Sequence, residues 1–354
     1  MNRIVLEKLM LTADSTIKDA IETLTHHEVG MILVVDDEQR LIGVVVDSDI
    51  RRGFLEGCNM NSSLADVMNE SPYTLPAKVS NEELKKEFKR YPRSCIPLVD
   101  EEGRVCDLAL LSDHFAVDGR KDNFVVLMAG GFGKRLQPLT DNLPKPMVKV
   151  GGKPILELLV RHLSRQGFWR FIMVINHFGD QIRTYFGNGH RWNVDIEYVE
   201  EGKMMGTAGG LSLIEKELEE PFIVMNADLL TNVDCQSLID FHVMEKGKAT
   251  VCVREYNIQI PFGVVQVEEG RLVSMDEKPL QRFFVNAGIY VFEPDVLKLV
   301  KEYEAADMPD VLQRVNTRYP GAIACFPITE YWLDIGRIDD YEKAQKEYEK
   351  VFKK

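Results

Sequence analysis

The sequence predicts an α/β protein in two parts: a larger domain on a mostly parallel sheet over residues 119–354, preceded over residues 1–118 by a smaller α/β module of two related copies. Three observations predict this. The run 124–128, Phe-Val-Val-Leu-Met, has the length and apolar character of a buried strand and feeds a glycine-rich turn. From there onward strand-like runs alternate with helical ones, the pattern of a parallel sheet with helices on its faces. In the first 118 residues one pattern of apolar runs and charged turns occurs twice.

Composition bounds the rest. A chain of 354 residues exceeds the usual single-domain size, and 45% hydrophobic residues supply material for more than one core. A formal net charge of −13 argues against a nucleic-acid polymer as partner, because phosphate-backbone binding needs an excess of Lys and Arg on one face. No apolar run approaches the ~18–20 residues of a membrane span, and the first residues lack a secretory apolar segment, so a cytoplasmic protein is expected. The cysteines at 58, 95, 106, 235, 252 and 325 have no Cys-x-x-Cys spacing and are expected as reduced thiols.

In chain order, residues 17–27 carry helical periodicity, and 31–35 and 41–46 are β-branched runs. The second copy becomes visible when Ile32-Leu-Val-Val-Asp36 is set beside Ile96-Pro-Leu-Val-Asp100, an offset of 96 − 32 = 64. At that offset Glu38 meets Glu102, Arg40 meets Arg104, and Ser48-Asp49 meets Ser112-Asp113. Its helix is expected over 82–90. Each copy, about 1–60 and 61–118, has too little core to stand alone, so the two are expected to pair. The stretch 118–123 is polar and marks the boundary.

The second half opens with the strand at 124–128. Beyond it Gly130, Gly131 and Gly133 let backbone N–H groups approach an anion, with Lys134 and Arg135 supplying charge. The spacing matches neither the dinucleotide nor the Walker pattern, and a plain structural turn is the competing reading. Lys145 stands between Pro144 and Pro146, which stiffen the backbone around one cation. A helix is expected from Pro154 to Gly167, with Ile155, Leu158, Leu159, His162 and Leu163 on its buried face, then a strand at 171–175 and a short helix at 179–186. Glycines surround Thr207, which is expected to open another helix. The run 221–230 is a hydrophobic strand that delivers Asp228 to the edge of the sheet, as a metal ligand or as a helix cap.

The stretch Ala129-Gly-Gly-Phe-Gly-Lys-Arg-Leu-Gln-Pro-Leu-Thr140, followed by Pro144-Lys-Pro-Met147, resembles the signature of sugar-1-phosphate nucleotidyltransferases. The resemblance implies a Rossmann-like domain that uses Mg²⁺ to convert an NTP and a sugar 1-phosphate into a nucleotide-sugar and pyrophosphate. It also implies roles. Gly130, Gly131 and Gly133 line the nucleotide, Arg135 holds the departing phosphates, and Lys145 contacts the phosphate at the reaction centre. Gly206 and Glu201 match nucleotide-contacting positions, and a carboxylate at 201 could accept from N1-H and N2-H₂ of guanine; a solvated glutamate is the competing reading. Asp228, and Asp334 in its Trp-x-Asp-x-Gly context, imply a shared Mg²⁺. Gly263, Glu277 and Asn286 match the sugar pocket. Lys278 matches the sugar-phosphate cation, against a solvated turn lysine.

The first half resembles a tandem pair of CBS domains, modules that often bind adenine nucleotides. Asp49 and Asp113 fall where that family's ribose-binding carboxylate lies. The pattern departs at Val46 and Leu110, where a hydroxyl residue is usual, and at Asp107, where the first copy has Gly43. Adenine-nucleotide sensing and a structural or dimerising role both follow, and a homo-oligomer is expected. The whole arrangement resembles bacterial enzymes that make nucleotide-activated hexosamines for legionaminic-acid-type sugars, including glucosamine-1-phosphate guanylyltransferases. GTP and a hexosamine 1-phosphate are therefore the preferred substrates, with mannose-1-phosphate guanylyl transfer or uridylyl or cytidylyl transfer as alternatives. A non-catalytic nucleotide sensor is the reading from another class. No hexapeptide repeats follow Asp334, so a fused β-helical acyltransferase is not expected.

Overall fold

The computed structural model describes residues 3–27, 30–90, 95–110, 119–131, 133–300 and 305–352, in two compact units, Met1–Gly119 and Arg120–Lys354. The first contains α1 (Arg3–Lys8), β1 (Met10–Leu11), α2 (Ile17–His27), β2 (Met31–Val35), β3 (Leu41–Val46), α3 (Asp47–Leu55), β4 (Leu75–Pro76), α4 (Asn81–Arg90), β5 (Cys95–Val99) and β6 (Val105–Leu110). Its strands form two three-stranded sheets, β1-β2-β3 and β4-β5-β6. Each has one parallel and one antiparallel pairing, so the repeat is structural as well as sequential.

The turn that joins the last two strands of each copy is built the same way. Asp36 Oδ1 accepts from the Glu38 and Arg40 N–H groups at 2.9 Å, and Asp100 Oδ1 from Glu102 and Arg104 at 3.0 and 2.8 Å. Residue 39 of one copy and 103 of the other both adopt positive φ, at 60° for Gln39 and 81° for Gly103. The two turns then bond each other, Leu41 N to Gly103 O at 2.9 Å and Val105 N to Gln39 O at 3.1 Å. One apolar cluster mixes Leu33 and Val44 with Cys95, Val105 and Leu108, which shows the copies sharing a core.

The second unit contains β7 (Lys121–Met128), β8 (Lys149–Val150), β9 (Lys153–Pro154), α5 (Ile155–Arg165), β10 (Phe168–Ile175), α6 (Gly179–Phe186), β11 (Asp195–Glu200), β12 (Phe222–Asn226), β13 (Leu229–Thr231), α7 (Cys235–Glu245), β14 (Ala249–Gln259), β15 (Gly263–Glu268), β16 (Arg271–Glu277), β17 (Leu280–Phe292), α8 (Met308–Arg318), β18 (Ile323–Pro327), β19 (Trp332–Asp334) and α9 (Ile338–Phe352). A seven-stranded sheet runs β11-β10-β7-β12-β17-β14-β18, with β17 antiparallel to its neighbours and the other pairings parallel. Val125, Leu127, Ile223 and Met225 face one apolar cluster, and Phe124, Val126, Phe222 and Val224 face another. A sheet buried on both faces reads as unbroken apolar runs, which is how 124–128 reads.

The chain winds outward from β7 to β10 and β11, then returns to β12 on the other side of β7. Strand order reverses between β7 and β12, and the crevice outside the carboxyl ends of those two strands is where such sheets bind ligands. Two local expectations need correction. On α5, Leu156 and Val160 are fully buried beside Ile155, Leu159 and Leu163, so the apolar face is wider than the predicted stripe. Thr207 opens no α-helix; a short 3₁₀ turn, Gly209–Leu213, follows instead.

Candidate active site

Both segments at the switch point leave neighbouring strands and stay joined, with Ala227 N donating to Met128 O at 3.2 Å. After β7 the backbone turns at Gly133, whose φ of 63° suits glycine. A Cβ there would also stand 2.9 Å from Lys145 Cβ and 3.0 Å from Thr140 Cγ2, so glycine lets the loop close onto Lys145. Thr140 Oγ1 fastens the loop by donating to Gly133 O at 2.8 Å. Lys145 lies in a 3₁₀ turn, Lys145–Met147, entered through Pro144, and is buried. The paired prolines thus hold one ammonium at a fixed depth.

Asp228 follows β12 by two residues. The next strand, β13, pairs antiparallel with β19 and sets Leu229 opposite Asp334, while Ile335 N donates to Asp228 O at 3.2 Å. This small ladder brings the two distant carboxylates to one place. Lys145 Nζ donates directly to Asp228 Oδ2 and lies 3.8 Å from Asp334 Oδ1. Arg135 faces the same group: its guanidinium is 3.9 Å from the point where a Cβ on Gly336 would sit, and Asp334 Oδ1 is 3.7 Å from that point. Burial pushes the Asp334 carboxyl up from its ordinary range, the Asp228 charge adds to this, and Lys145 and Arg135 oppose it.

Two acidic oxygens, Asp228 Oδ1 and Asp334 Oδ1, are buried without a hydrogen-bond partner among the described residues. Buried carboxylate oxygens left unpaired are costly, and a hard divalent cation bound by both residues would relieve them. No group of three or more His, Cys, Asp or Glu side chains that could hold a metal occurs among the described residues. Asp228 and Asp334 together suit Mg²⁺ completed by water and phosphate oxygens.

Glu201 forms a second centre. Its carboxylate is buried between two glycines; a Cβ on Gly130 would lie 2.7 Å from Oε2, and one on Gly210 would lie 2.6 Å from Oε1. Gly130 is thus needed to admit Glu201 as well as to open the loop. Asn176 Nδ2 donates to Glu201 Oε2 at 3.1 Å. Burial raises the Glu201 carboxyl above its ordinary value, and the bond from Asn176 opposes the shift. Gly131 is exposed, and a Cβ there would meet nothing within 4 Å.

Gly206 is held structurally. At φ 80° its Cα faces Ala306 O, 2.6 Å from where a Cβ would stand. Asp307 Oδ1 accepts from Thr207 N at 2.9 Å and Thr207 Oγ1 at 3.1 Å, and Thr207 Oγ1 in turn accepts from Met308 N at 2.9 Å. Asp307 also caps α8. Sequence reasoning missed Asp307 and Asn176, because their signal is spatial: Asp307 acts on Thr207 and Asn176 on Glu201, 100 and 25 residues away in the chain.

The residues expected in a sugar pocket form separate groups. Gly263 pairs with Glu277 at the open end of the β15–β16 hairpin, and Lys278 follows with a φ of 50°. Asn286 sits on β17, donates through Nδ2 to Tyr290 Oη at 2.7 Å and accepts from Gly288 N at 2.9 Å. Gly288 lets Asn226, two residues before Asp228, approach this strand.

In the first unit Asp49 is engaged by its own helix. Its Oδ2 accepts from Val46 N at 3.0 Å at the start of α3, and its Oδ1 lies 3.5 Å from Arg52 Nη1. Asp113 lies outside the described residues. The cysteines are free, and no described helix is long and apolar enough to cross a membrane.

The CBS domain profile matches residues 2–56 and 64–113. A UTP–glucose-1-phosphate uridylyltransferase from Synechocystis is 29% identical over 62% of this chain and 61% of its own length. A D-glycero-alpha-D-manno-heptose 1-phosphate guanylyltransferase from Aneurinibacillus thermoaerophilus is 30% identical over 63% of this chain and 96% of its own length. The chain spans about three fifths of the length of several curated relatives it matches. A Bacillus anthracis structure assigned as a glucose-1-phosphate thymidylyltransferase shares the fold, with a TM-score of 0.51 at 23% identity over 63% of this chain and 93% of that one. The nucleotidyl transferase profile matches residues 124–351, well over half of the chain, and the protein belongs to that family, with a CBS pair ahead of the family's domain.

Proposed function

We propose that the second unit transfers a nucleoside monophosphate from an NTP to a sugar 1-phosphate. The observation that carries the reading is the convergence of Asp228, Asp334 and Lys145, with Arg135 facing Asp334, outside the carboxyl ends of β7 and β12. A sugar 1-phosphate oxygen, already ionised at neutral pH, attacks the α-phosphorus in line. A new P–O bond forms as the bond to the β-phosphate oxygen breaks, and pyrophosphate leaves. No strong base is needed; the obstacle is bringing anions together. Lys145 and Lys278 draw the two phosphates in, Gly130, Gly131 and Gly133 present backbone to the nucleotide, and Arg135 steadies the leaving group. Asp228 and Asp334 would hold Mg²⁺, which supplies charge neutralisation at the phosphate oxygens when bound.

GTP is the preferred donor in this proposal, because the Glu201 carboxylate is fixed beside the glycine loop and suits the two adjacent donors of guanine. Gly206 would set the loop that follows. Gly263, Glu277 and Asn286 would contact the sugar, for which a hexosamine, in the manner of the glucosamine-1-phosphate enzymes, is preferred. The relatives named for UTP, and for heptose 1-phosphate, define the alternatives. A cytoplasmic, homo-oligomeric enzyme fits nucleotide substrates and free thiols. Adenine-nucleotide binding at the CBS pair would require Asp49 to release its helix cap. A panel of four NTPs against several sugar 1-phosphates, read as pyrophosphate release, tests the proposal. Turnover with GTP supports it, equal use of all four NTPs removes the guanine assignment, and no turnover with any pair leaves the sensor reading in its place.

A further inference from the structure

Two residues before Asp228, the fold leaves another polar side chain without a partner. Along β12, Phe222, Val224 and Asn226 alternate onto one face, and the antiparallel register that sets Val224 against Tyr290 carries Asn226 to Gly288. Gly288 has a φ of 70°, and a Cβ on it would lie 2.6 Å from Asn226 Nδ2 and 3.0 Å from Asn226 Cγ. Glycine at 288 is thus what leaves room for the amide. Asn226 is half-buried, and its side chain makes no hydrogen bond among the described residues. An amide taken partly out of water with its donors and acceptor unused is costly, and a bound polar group offsets that cost.

Asn286, expected to hold a sugar hydroxyl, is placed differently. Its Nδ2 donates to Tyr290 Oη at 2.7 Å and its Oδ1 accepts from Gly288 N at 2.9 Å, so both ends of this amide are engaged within β17. Those bonds fix the turn that admits Asn226. The same turn is tied to the second carboxylate strand, because Trp332 Nε1, two residues before Asp334, donates to Ala287 O at 2.8 Å. Residues 286–288 therefore take their position from both strands that deliver Asp228 and Asp334. The side of the crevice is also set. Asn176 and Glu201 follow β10 and β11, beyond β7, whereas Asn226 faces β17 on the other flank of β12.

We infer that Asn226 reads a ring hydroxyl of the acceptor sugar, with Asn286 holding in place the turn that admits it. The inference deepens the proposed function and rests on it. A hydroxyl suits the chemistry, because an amide can both donate to it and accept from it. Asn226, Asn286 and Tyr290 present no ionised group, burial pushing the Tyr290 hydroxyl up to about 12. A site that hydrogen-bonds a hydroxyl discriminates against the analogue lacking it far more strongly than an apolar pocket rejects a missing methylene.

Calorimetric titration of the full chain with the 1-phosphates of glucosamine, glucose and mannose, in Mg²⁺ and a non-hydrolysable GTP analogue, tests the inference without reading turnover. Asn226→Ala is expected to weaken binding of the sugar phosphate roughly tenfold or more, with affinity for the GTP analogue unchanged. Monodeoxy analogues of the tightest of the three separate direct contact from a general disturbance. The wild type loses affinity at each hydroxyl it reads, and Asn226→Ala shows no further loss at one of those positions. Equal affinity of wild type and variant, or a weakened variant that still loses affinity at every position the wild type does, overturns the inference and leaves the transferase reading standing. A wild type that binds none of the three sugar phosphates overturns both. Should Asn226→Ala misfold, Asn226→Leu, close to asparagine in shape and unable to hydrogen-bond, decides by the same two criteria.

Discussion

Asp49 in the first unit and Asp228 in the second were both marked out by family resemblance, yet the fold treats them differently. Asp49 has one oxygen on the backbone of its own helix start and the other near Arg52. Asp228 has one oxygen on Lys145, from a distant loop, and leaves the other buried without a partner. A carboxylate that satisfies its own helix is explained by folding alone. One that the fold buries and leaves half-satisfied needs something the chain does not supply, and that difference separates a structural aspartate from a candidate ligand.

The largest expected effect falls on the half-satisfied side. Asp228→Asn keeps the shape but loses the charge, and is expected to lower pyrophosphate release at least ~100-fold while the protein stays folded by circular dichroism. Near-normal turnover would put Asp228 in the same class as Asp49.

Glu201→Gln is expected to raise KM for GTP by roughly 10–100-fold, the worth of a hydrogen bond to a charged group, with a smaller change for UTP. Its pH dependence follows from burial, which lifts the carboxyl above 4.5. The folded state then binds the proton more tightly than the unfolded one, so this group favours folding most at low pH and loses that contribution as pH rises through the raised value. Base reading needs the ionised form. Wild-type KM for GTP should climb as pH falls into that window, and the Gln variant should show no such climb in a steady-state pH series.

Gly206→Ala tests the clasp around Thr207 and Asp307. Positive φ and the approach to Ala306 O predict a loss of about 1–3 kcal/mol, seen as a lower melting temperature of the second unit. The smallest effect belongs to Asp49→Ala: about 1 kcal/mol from the lost cap, confined to the first unit, with pyrophosphate release unchanged. Tight adenine-nucleotide binding by the wild type that vanishes in Asp49→Ala would show that Asp49 serves a ligand, and the contrast would fail.

Much of this was legible in the sequence. The strand at 124–128, the short helix at 179–186 and the paired turns at Asp36 and Asp100 announce themselves through apolar runs, glycines and side chains that bond their own backbone. Lys145, Asp228 and Asp334 were legible as types in motifs. Their meeting was implied only by the family resemblance, through a shared Mg²⁺; the β13–β19 pairing that produces it joins segments far apart in the chain and leaves no local signal. Asp307 and Asn176 leave no local signal either. The β15–β16 hairpin was missed for another reason: 261–265 and 276–279 were read as pocket segments, although Val265-Gln-Val-Glu268 alternates as an exposed strand does.

Crystals grown with Mn²⁺ and a non-hydrolysable GTP analogue offer the most direct measurement of the central claim. An anomalous peak in contact with both Asp228 Oδ1 and Asp334 Oδ1 and with the nucleotide phosphates is the predicted result. A metal bound elsewhere, with the Asp228–Lys145 pair closed beneath the bound nucleotide, would contradict it.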